Sequence, residues 1–387
     1  MAPRAPFVPP EILLLGPGPS PVSPRVLAAL AAPPLGHLDA DFVRLMDRVQ
    51  EDLRTVFGTR NRFTLPISAT GSAGMETCMV NLLEPGDRAV IGVHGVFGER
   101  MKDLAVRQGA EVVEVRSEYG RPLDVERMAA AIAAGPTQLV GFVHAETSTG
   151  VLMPPEEIVA AARRAGALTV LDCVTSLGGT EVALDTWGVD AAYSGTQKCL
   201  SVPPGLAPLS FSDAAMQRAA HRARKAPSWY LDVNLLGGYW GGGRVYHHTA
   251  PVNMVYALAT GLDEVLEEGL TARFARHRAI ARALVRGLEP LGLQPLVPEA
   301  CRTPMVTAIS VPDGVDEAAV RRHLRAAHAI EIGGGLGALK GRIWRVGLMG
   351  HGATMTSVLR VLAGLADALR AQGRRVDAAE AMRAAQA

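Results

Sequence analysis

Two residues of opposite charge stand at the ends of neighbouring apolar runs. Asp172 closes "LTVLD", and Lys198 follows "AAYSGTQ" after one helix-sized excursion. In a parallel sheet both positions fall on the carboxyl edge, where open α/β folds bind their ligands. The pair has two readings. One is a structural ion pair. The other is a pyridoxal phosphate site, with the lysine as Schiff base to the cofactor aldehyde and the aspartate on the pyridine nitrogen. The lysine then also moves a proton, and the carboxylate keeps the ring nitrogen protonated, so that the ring accepts the electrons of a departing Cα proton. A partly desolvated, cationic surrounding lowers a lysine pKa, which suits both tasks.

A third feature is "ATGSAGMET", between a strand-like and a helix-like stretch. Thr70, Gly71 and Ser72 fall at the helix N-terminus, where free N–H groups and hydroxyls hold a phosphate. Ordinary helix caps use the same residue types. The stretch is neither G-x-G-x-x-G nor a Walker loop. "GGGLG" at 333–337 resembles a phosphate loop but reads better as a flexible turn.

The elements that position these residues follow from the apolar pattern. Between about residues 60 and 212, "RFTLPIS", "RAVIGV", "AEVVEV", "TQLVGFV", "ALTVLD", "AAYS" and "LAPLSF" alternate with helical stretches at 73–83, 97–108, 125–133 and after Pro155. Short apolar runs between helices predict an α/β fold: a mostly parallel seven-stranded sheet covered on both faces. Beyond residue 250 come helices at 252–267 and 271–291. Strand, helix, strand, strand and helix follow at 306–311, 317–327, 330–332, 343–347 and 354–371. That is a smaller α/β domain with its own sheet. The expected division is an extended arm over 1–12, a large domain over 13–268 and a small domain over 269–387.

Composition narrows the function. The 387 residues carry a net charge of +1, which argues against a nucleic-acid binder. The basic cluster Arg218, Arg222, Arg224 and Lys225 reads as a solvated face. The four cysteines form no C-x-x-C pair, so neither a disulfide framework nor a structural metal is expected, and a reducing, cytoplasmic setting fits. No apolar run reaches the roughly 18 residues of a membrane span. The proline-rich start does not read as a signal peptide, and the C-terminal "AMRAAQA" is not a peroxisomal address.

Taken together, the motifs resemble one family, the class V aminotransferases within fold type I pyridoxal phosphate enzymes, on the branch of alanine–glyoxylate and serine–pyruvate aminotransferases. The resemblance rests on "LLGPGPSPVSPRV", "NLLEPGD", "ETSTGVLMP", "LDCVTSLGGT", "YSGTQKCLSVPPG", "WYLDV", "RVYHHTAPV", "IEIGGGLG" and "WRVGLMG", which span most of the chain. It implies pyridoxal 5'-phosphate as cofactor, Lys198 as the Schiff-base lysine and Asp172 as the partner of the pyridine nitrogen. Thr70, Gly71, Ser72 and Gln197 resemble phosphate contacts. Thr147 matches the residue that bonds the ring hydroxyl. Val174 and Phe97 match the two ring faces, although relatives often carry tryptophan where this chain has Phe97. Tyr246 and Thr249, in "YHHT", match residues that reach the phosphate from a neighbouring subunit, which implies a homodimer with shared active sites. Arg345 matches the clamp for a substrate carboxylate. Gly16 and Gly18 would bring bare backbone close to a small substrate.

The family reading implies a ping-pong aminotransferase that moves the amino group of alanine or serine to glyoxylate or pyruvate. Relatives specialised for pyridoxamine lack the phosphate-binding residues that Thr70 and "YHHT" supply here. Two alternatives share the fold. A class V lyase or cysteine desulfurase would need a mobile nucleophile, for which Cys301 is the candidate. A catalytically silent cofactor-binding module is opposed by Lys198, Asp172 and Arg345 together. The glycine-rich stretch 238–244 reads as a mobile loop near the dimer interface.

Overall fold

The computed structural model describes residue 5 and residues 7–387. The expected arm over 1–12 therefore lies partly outside the described residues, and Phe7 and Val8 within it are exposed.

A seven-stranded sheet organises the larger body. Its strands run in the order Phe63–Ile67, Ala207–Phe211, Ala191–Tyr193, Leu168–Asp172, Leu139–Val143, Arg88–Val93 and Glu111–Arg116. Ala207–Phe211 is antiparallel to both its neighbours, and the other pairings of the sheet are parallel. The interior strands read as unbroken apolar runs because helices cover both faces: every residue of Leu139–Val143 and of Ala207–Phe211 is buried. Glu111–Arg116 alternates charge with valine because it is the edge strand, where charge discourages further pairing. The parallel register sets Asp172 beside Val143 on one side and Tyr193 on the other.

Local signals place the helices. Asp124 caps Val125–Ala133 by accepting from Arg127 N at 3.0 Å. The helix Ala40–Phe57, which the sequence reading did not place, begins on Asp39 and ends on Gly58 at φ +60, a left-handed position that favours glycine. The helix of the phosphate-like turn spans Gly71–Leu82, beginning two residues before its expected start.

A second hydrophobic core lies around the C-terminal elements. Helices Leu270–Leu288, Glu317–His328 and Met355–Ala371 pack over a small sheet in which Ile343–Gly347 pairs with Val306–Ser310 and with Gly333–Gly334. Two details differ from the sequence reading. "GGGLG" is not a free turn: Gly333 and Gly334 are a strand, opposite Arg345 and Trp344. Leu13–Leu14, counted with the large domain, pairs in parallel with Ile330–Glu331, and Leu15 is fully buried in the C-terminal core. The stretch 238–244 is also more ordered than a loop, since Gly238 to Trp240 close the helix Val233–Trp240. Arg244 then folds back to donate to Trp240 O at 2.9 Å and pairs with Asp47.

Two basic residues expected on a solvated face hold loops instead. Arg218 pairs with Asp87 at 2.6 Å, and Arg222 donates to the carbonyls of Asn81 and Leu83 at 3.1 and 2.7 Å. Among the described residues, no helix is long and apolar enough to cross a membrane.

Candidate active site

Asp172 ends its strand inside the protein. Its Oδ1 accepts from Val174 N at 2.8 Å, and its Oδ2 accepts from the Tyr193 hydroxyl at 2.7 Å. Burial raises its pKa to about 6, against the lowering effect of those hydrogen bonds and of Lys198. No cation of the described residues forms an ion pair with it. The structural ion-pair reading of Asp172 and Lys198 therefore does not hold.

Lys198 lies five residues beyond Tyr193, at the same sheet edge, and is 8% exposed. Its Nζ donates to Pro17 O. Burial lowers its pKa to about 8, and the Arg345 charge adds to that lowering. Gly18 faces the same amine. It sits at φ +115, and a Cβ there would stand 2.6 Å from Nζ. Backbone conformation and space both require glycine at this position.

The turn at 70–72 offers donors. Thr70 is the N-cap of Gly71–Leu82, yet its hydroxyl makes no capping bond, so both the hydroxyl and the first N–H groups remain to hold an anion. A Cβ on Gly71 would come within 3.3 Å of Val174 Cγ2 and Ser194 O, so glycine keeps this helix end close to the lysine turn. Ser72 Oγ accepts from Arg100 Nη1 at 3.1 Å, and the Arg100 guanidinium lies 5.0 Å from the centre of the Phe97 ring. Gln197, adjacent to the lysine, has a buried side-chain oxygen without a partner beside Gly195.

Arg345 belongs to the C-terminal sheet but reaches the same region. Its Nε donates to Gly334 O at 2.8 Å and its Nη1 to Thr147 O at 3.0 Å. Nη2 makes no hydrogen bond to the described residues, so one edge of the guanidinium is unused. Burial lowers its pKa to about 10, while Glu146 raises it. Thr147 Oγ1 meets Thr175 Oγ1 in a short hydrogen bond.

Three supporting residues escaped the sequence reading. Tyr193 is one; its place at the end of "AAY", in register with Asp172, was the available signal. Thr175 is the second. The third is Glu146, the first residue of the quoted "ETSTG". It is fully buried, accepts from Ser148 Oγ at 2.6 Å, and takes the N–H groups of Phe97 and Gly98 at 3.2 and 3.3 Å. Burial raises its pKa to about 7, against those hydrogen bonds.

Tyr246 and Thr249 stand apart from this group. Tyr246 is 57% exposed; its hydroxyl lies 3.5 Å from Thr249 Oγ1 and its ring 5.3 Å from His37. Between them, His248 Nε2 lies 2.7 Å from Ser68 Oγ, at the entrance to the phosphate-like turn of the same chain. Cys301 closes a short 3-10 turn with Sγ against Pro298 O, and burial raises its pKa. A raised thiol pKa opposes a nucleophilic role.

These residues fit pyridoxal phosphate. A buried carboxylate lacks a cation, an amine with three donors has one protein acceptor, and a helix N-terminus keeps its hydroxyl and N–H groups free. Comparisons agree. The aminotransferase class-V family model matches residues 13–356. The chain is 39% identical to the (S)-ureidoglycine–glyoxylate transaminase of Bacillus subtilis, across 96% of this chain and 94% of that one. It is 39% identical to an alanine–glyoxylate aminotransferase of Drosophila melanogaster, across 95% and 94%. The solved alanine–glyoxylate aminotransferase of Nostoc sp. superposes with a TM-score of 0.94 at 45% identity, covering 95% of this chain and 97% of that one. Neither the desulfurase nor the silent-module alternative is favoured by these matches. The chain belongs to the class V aminotransferases, pyridoxal phosphate-dependent enzymes of fold type I.

Proposed function

We propose that this enzyme moves the amino group of alanine or serine to glyoxylate or pyruvate in two half-reactions that share one lysine. The observation that carries the reading is the buried amine of Lys198 against bare backbone at Gly18, with the buried Arg345 guanidinium held beside Gly333 and Gly334. Arg345 offers its unused edge to a substrate carboxylate, with Gly334 and Thr147 fixing the guanidinium plane. Gly18 keeps bare backbone against the Lys198 amine. Bound pyridoxal phosphate supplies an aldehyde for amine exchange and a ring that takes up electrons. Lys198 moves the proton at the substrate Cα, and its pKa, lowered to about 8, lets it release a proton far more readily than a free lysine does. Asp172, oriented by Tyr193 and Val174, holds the ring nitrogen. Thr70, Gly71, Ser72 and Gln197 would hold the phosphate, Thr147 the ring hydroxyl, and Val174 and Phe97 would lie against the ring.

The same reading includes a homodimer in which Tyr246 and Thr249 serve the neighbouring site. What supports it is their exposure, beside exposed Trp229 and Val245. It also includes a large domain ending near residue 268, a small one over 269–387 to which Leu13–Leu15 adds a strand, and a cytoplasmic setting. The Bacillus relative makes (S)-ureidoglycine a third donor to consider, with glyoxylate common to both relatives' names.

A half-reaction screen tests the reading. Alanine, serine and (S)-ureidoglycine are each added to the loaded enzyme without acceptor, and the cofactor's visible absorbance is followed. The expected result is loss of the band with at least one donor and its return on adding glyoxylate. No change with any donor, or sulfide release from cysteine, contradicts it.

A further inference from the structure

His323, His328 and Asp367 form a cluster in the C-terminal body that the transamination chemistry does not use. One ligand atom from each lies within 4.8 Å of the other two. The two histidines are on the helix Glu317–His328 and Asp367 is on Met355–Ala371. Both His Nε2 atoms converge on the same carboxylate oxygen, Asp367 Oδ2, at 2.8 and 2.9 Å. The imidazole centres are 5.8 Å apart. All three side chains are partly exposed, so an ion has a path in from solvent.

The packing that brings them together depends on Gly364, one turn before Asp367. A Cβ there would meet Leu324 Cδ2 at 2.5 Å and His328 Cδ2 at 3.5 Å. Glycine lets the two helices approach until histidines and carboxylate meet.

We propose that this cluster is a binding site for one divalent transition-metal ion of the zinc class. Two imidazoles and a carboxylate are the donors such ions favour, and three protein ligands leave positions for water. Metal–ligand bonds of about 2.0–2.2 Å separate tetrahedral ligand atoms by roughly 3.4 Å. Each imidazole contact must therefore open by about half an ångström, a side-chain adjustment. On binding, the Nε2 proton of each imidazole moves to Nδ1 and the freed lone pair takes the metal. Nothing is oxidised or reduced. The ion would tie the two helices together. The first of them runs on into Ile330–Glu331, the partner of Leu13–Leu14, so the tie braces the segment leading to Pro17 and Gly18.

The test uses the cofactor-loaded enzyme, stripped with a chelator and titrated with zinc chloride by calorimetry, with metal content measured after gel filtration. One zinc per chain is expected, with a rise in Tm that chelator reverses. His323→Ala and the near-isosteric Asp367→Asn should each weaken binding by about 100-fold or more, exceeding the 10–100-fold cost of losing a mere supporting partner. No retained zinc overturns the proposal. So does zinc that binds equally well to both variants, since the ion is then held elsewhere.

Discussion

The surroundings of Asp172 and those of Tyr246 differ in kind. Asp172 is 2% exposed, with each carboxylate oxygen occupied by a donor from its own chain. Lys198, Arg345 and Glu146 beside it are buried too, and burial moves the pKa of all four. Tyr246 is 57% exposed, and Val245 and Trp229 near it are 65% and 61% exposed. One region carries its electrostatics inside a single chain. The other presents aromatic and hydroxyl groups outward and has little to do within the chain. On the proposed dimer, the contrast separates chemistry from assembly. Charges must be desolvated and fixed to have their pKa values shifted, whereas groups that close a neighbour's site must lie on the surface of their own chain.

The contrast is broken most severely at Lys198. Lys198→Ala should lower kcat by about 10⁴-fold, the upper range for a positioned acid–base group, while oligomeric state by light scattering stays unchanged. Retained turnover would remove the lysine from the reaction. Next is Arg345→Lys, which keeps the charge and loses the planar fork. A drop of about 100-fold in kcat/KM is expected, of the size of a lost charge-assisted hydrogen bond. Steady-state kinetics should also show weaker inhibition by simple carboxylates.

The outward region should respond differently. Tyr246→Ala should weaken cofactor retention by about 10-fold, the size of one lost hydrogen bond, as measured by dialysis and absorbance. A pH dependence sharpens the buried side. The pKa of Glu146 in the folded protein is raised, so the native state keeps a proton that the unfolded chain releases. Its contribution to stability is present at low pH and is lost as pH rises from its ordinary value towards about 7. Glu146→Gln removes that dependence. Urea unfolding should show the variant gaining on the wild type by on the order of 3 kcal/mol between about pH 4 and pH 8. A pH-independent difference would mean that folding leaves the Glu146 pKa at its ordinary value.

The buried region was the more legible one in sequence. Parallel strands covered on both faces are unbroken apolar runs, so their carboxyl ends can be found by inspection, and Asp172 and Lys198 stand there. What escaped depends on register or on distant pairing. Tyr193 is visible as a partner only once its strand is aligned with Leu168–Asp172. Glu146 takes the N–H groups of Phe97 and Gly98, 49 and 48 residues away. Gly333–Gly334 reads as a turn because glycine signals freedom locally, while its strand state comes from pairing with Ile343–Gly347. Leu13–Leu15 joins a core whose other members begin beyond residue 279. Composition around a residue does not reveal which remote backbone will pair with it.

The comparison rests on Tyr246 and Thr249 completing a site that holds another chain's Lys198, and subunit mixing tests this directly. Lys198→Ala protein, inactive alone, is mixed with the Tyr246→Ala/Thr249→Ala double variant and the subunits are allowed to exchange. In a hybrid dimer with shared sites, one site has both substitutions and the other has neither. With random exchange the mixture should regain about one quarter of wild-type sites, since half the dimers are hybrids with one intact site each. Activity that never exceeds the sum of the two separate variants, after exchange has been verified, would place Tyr246 and Thr249 at their own chain's site and contradict the account.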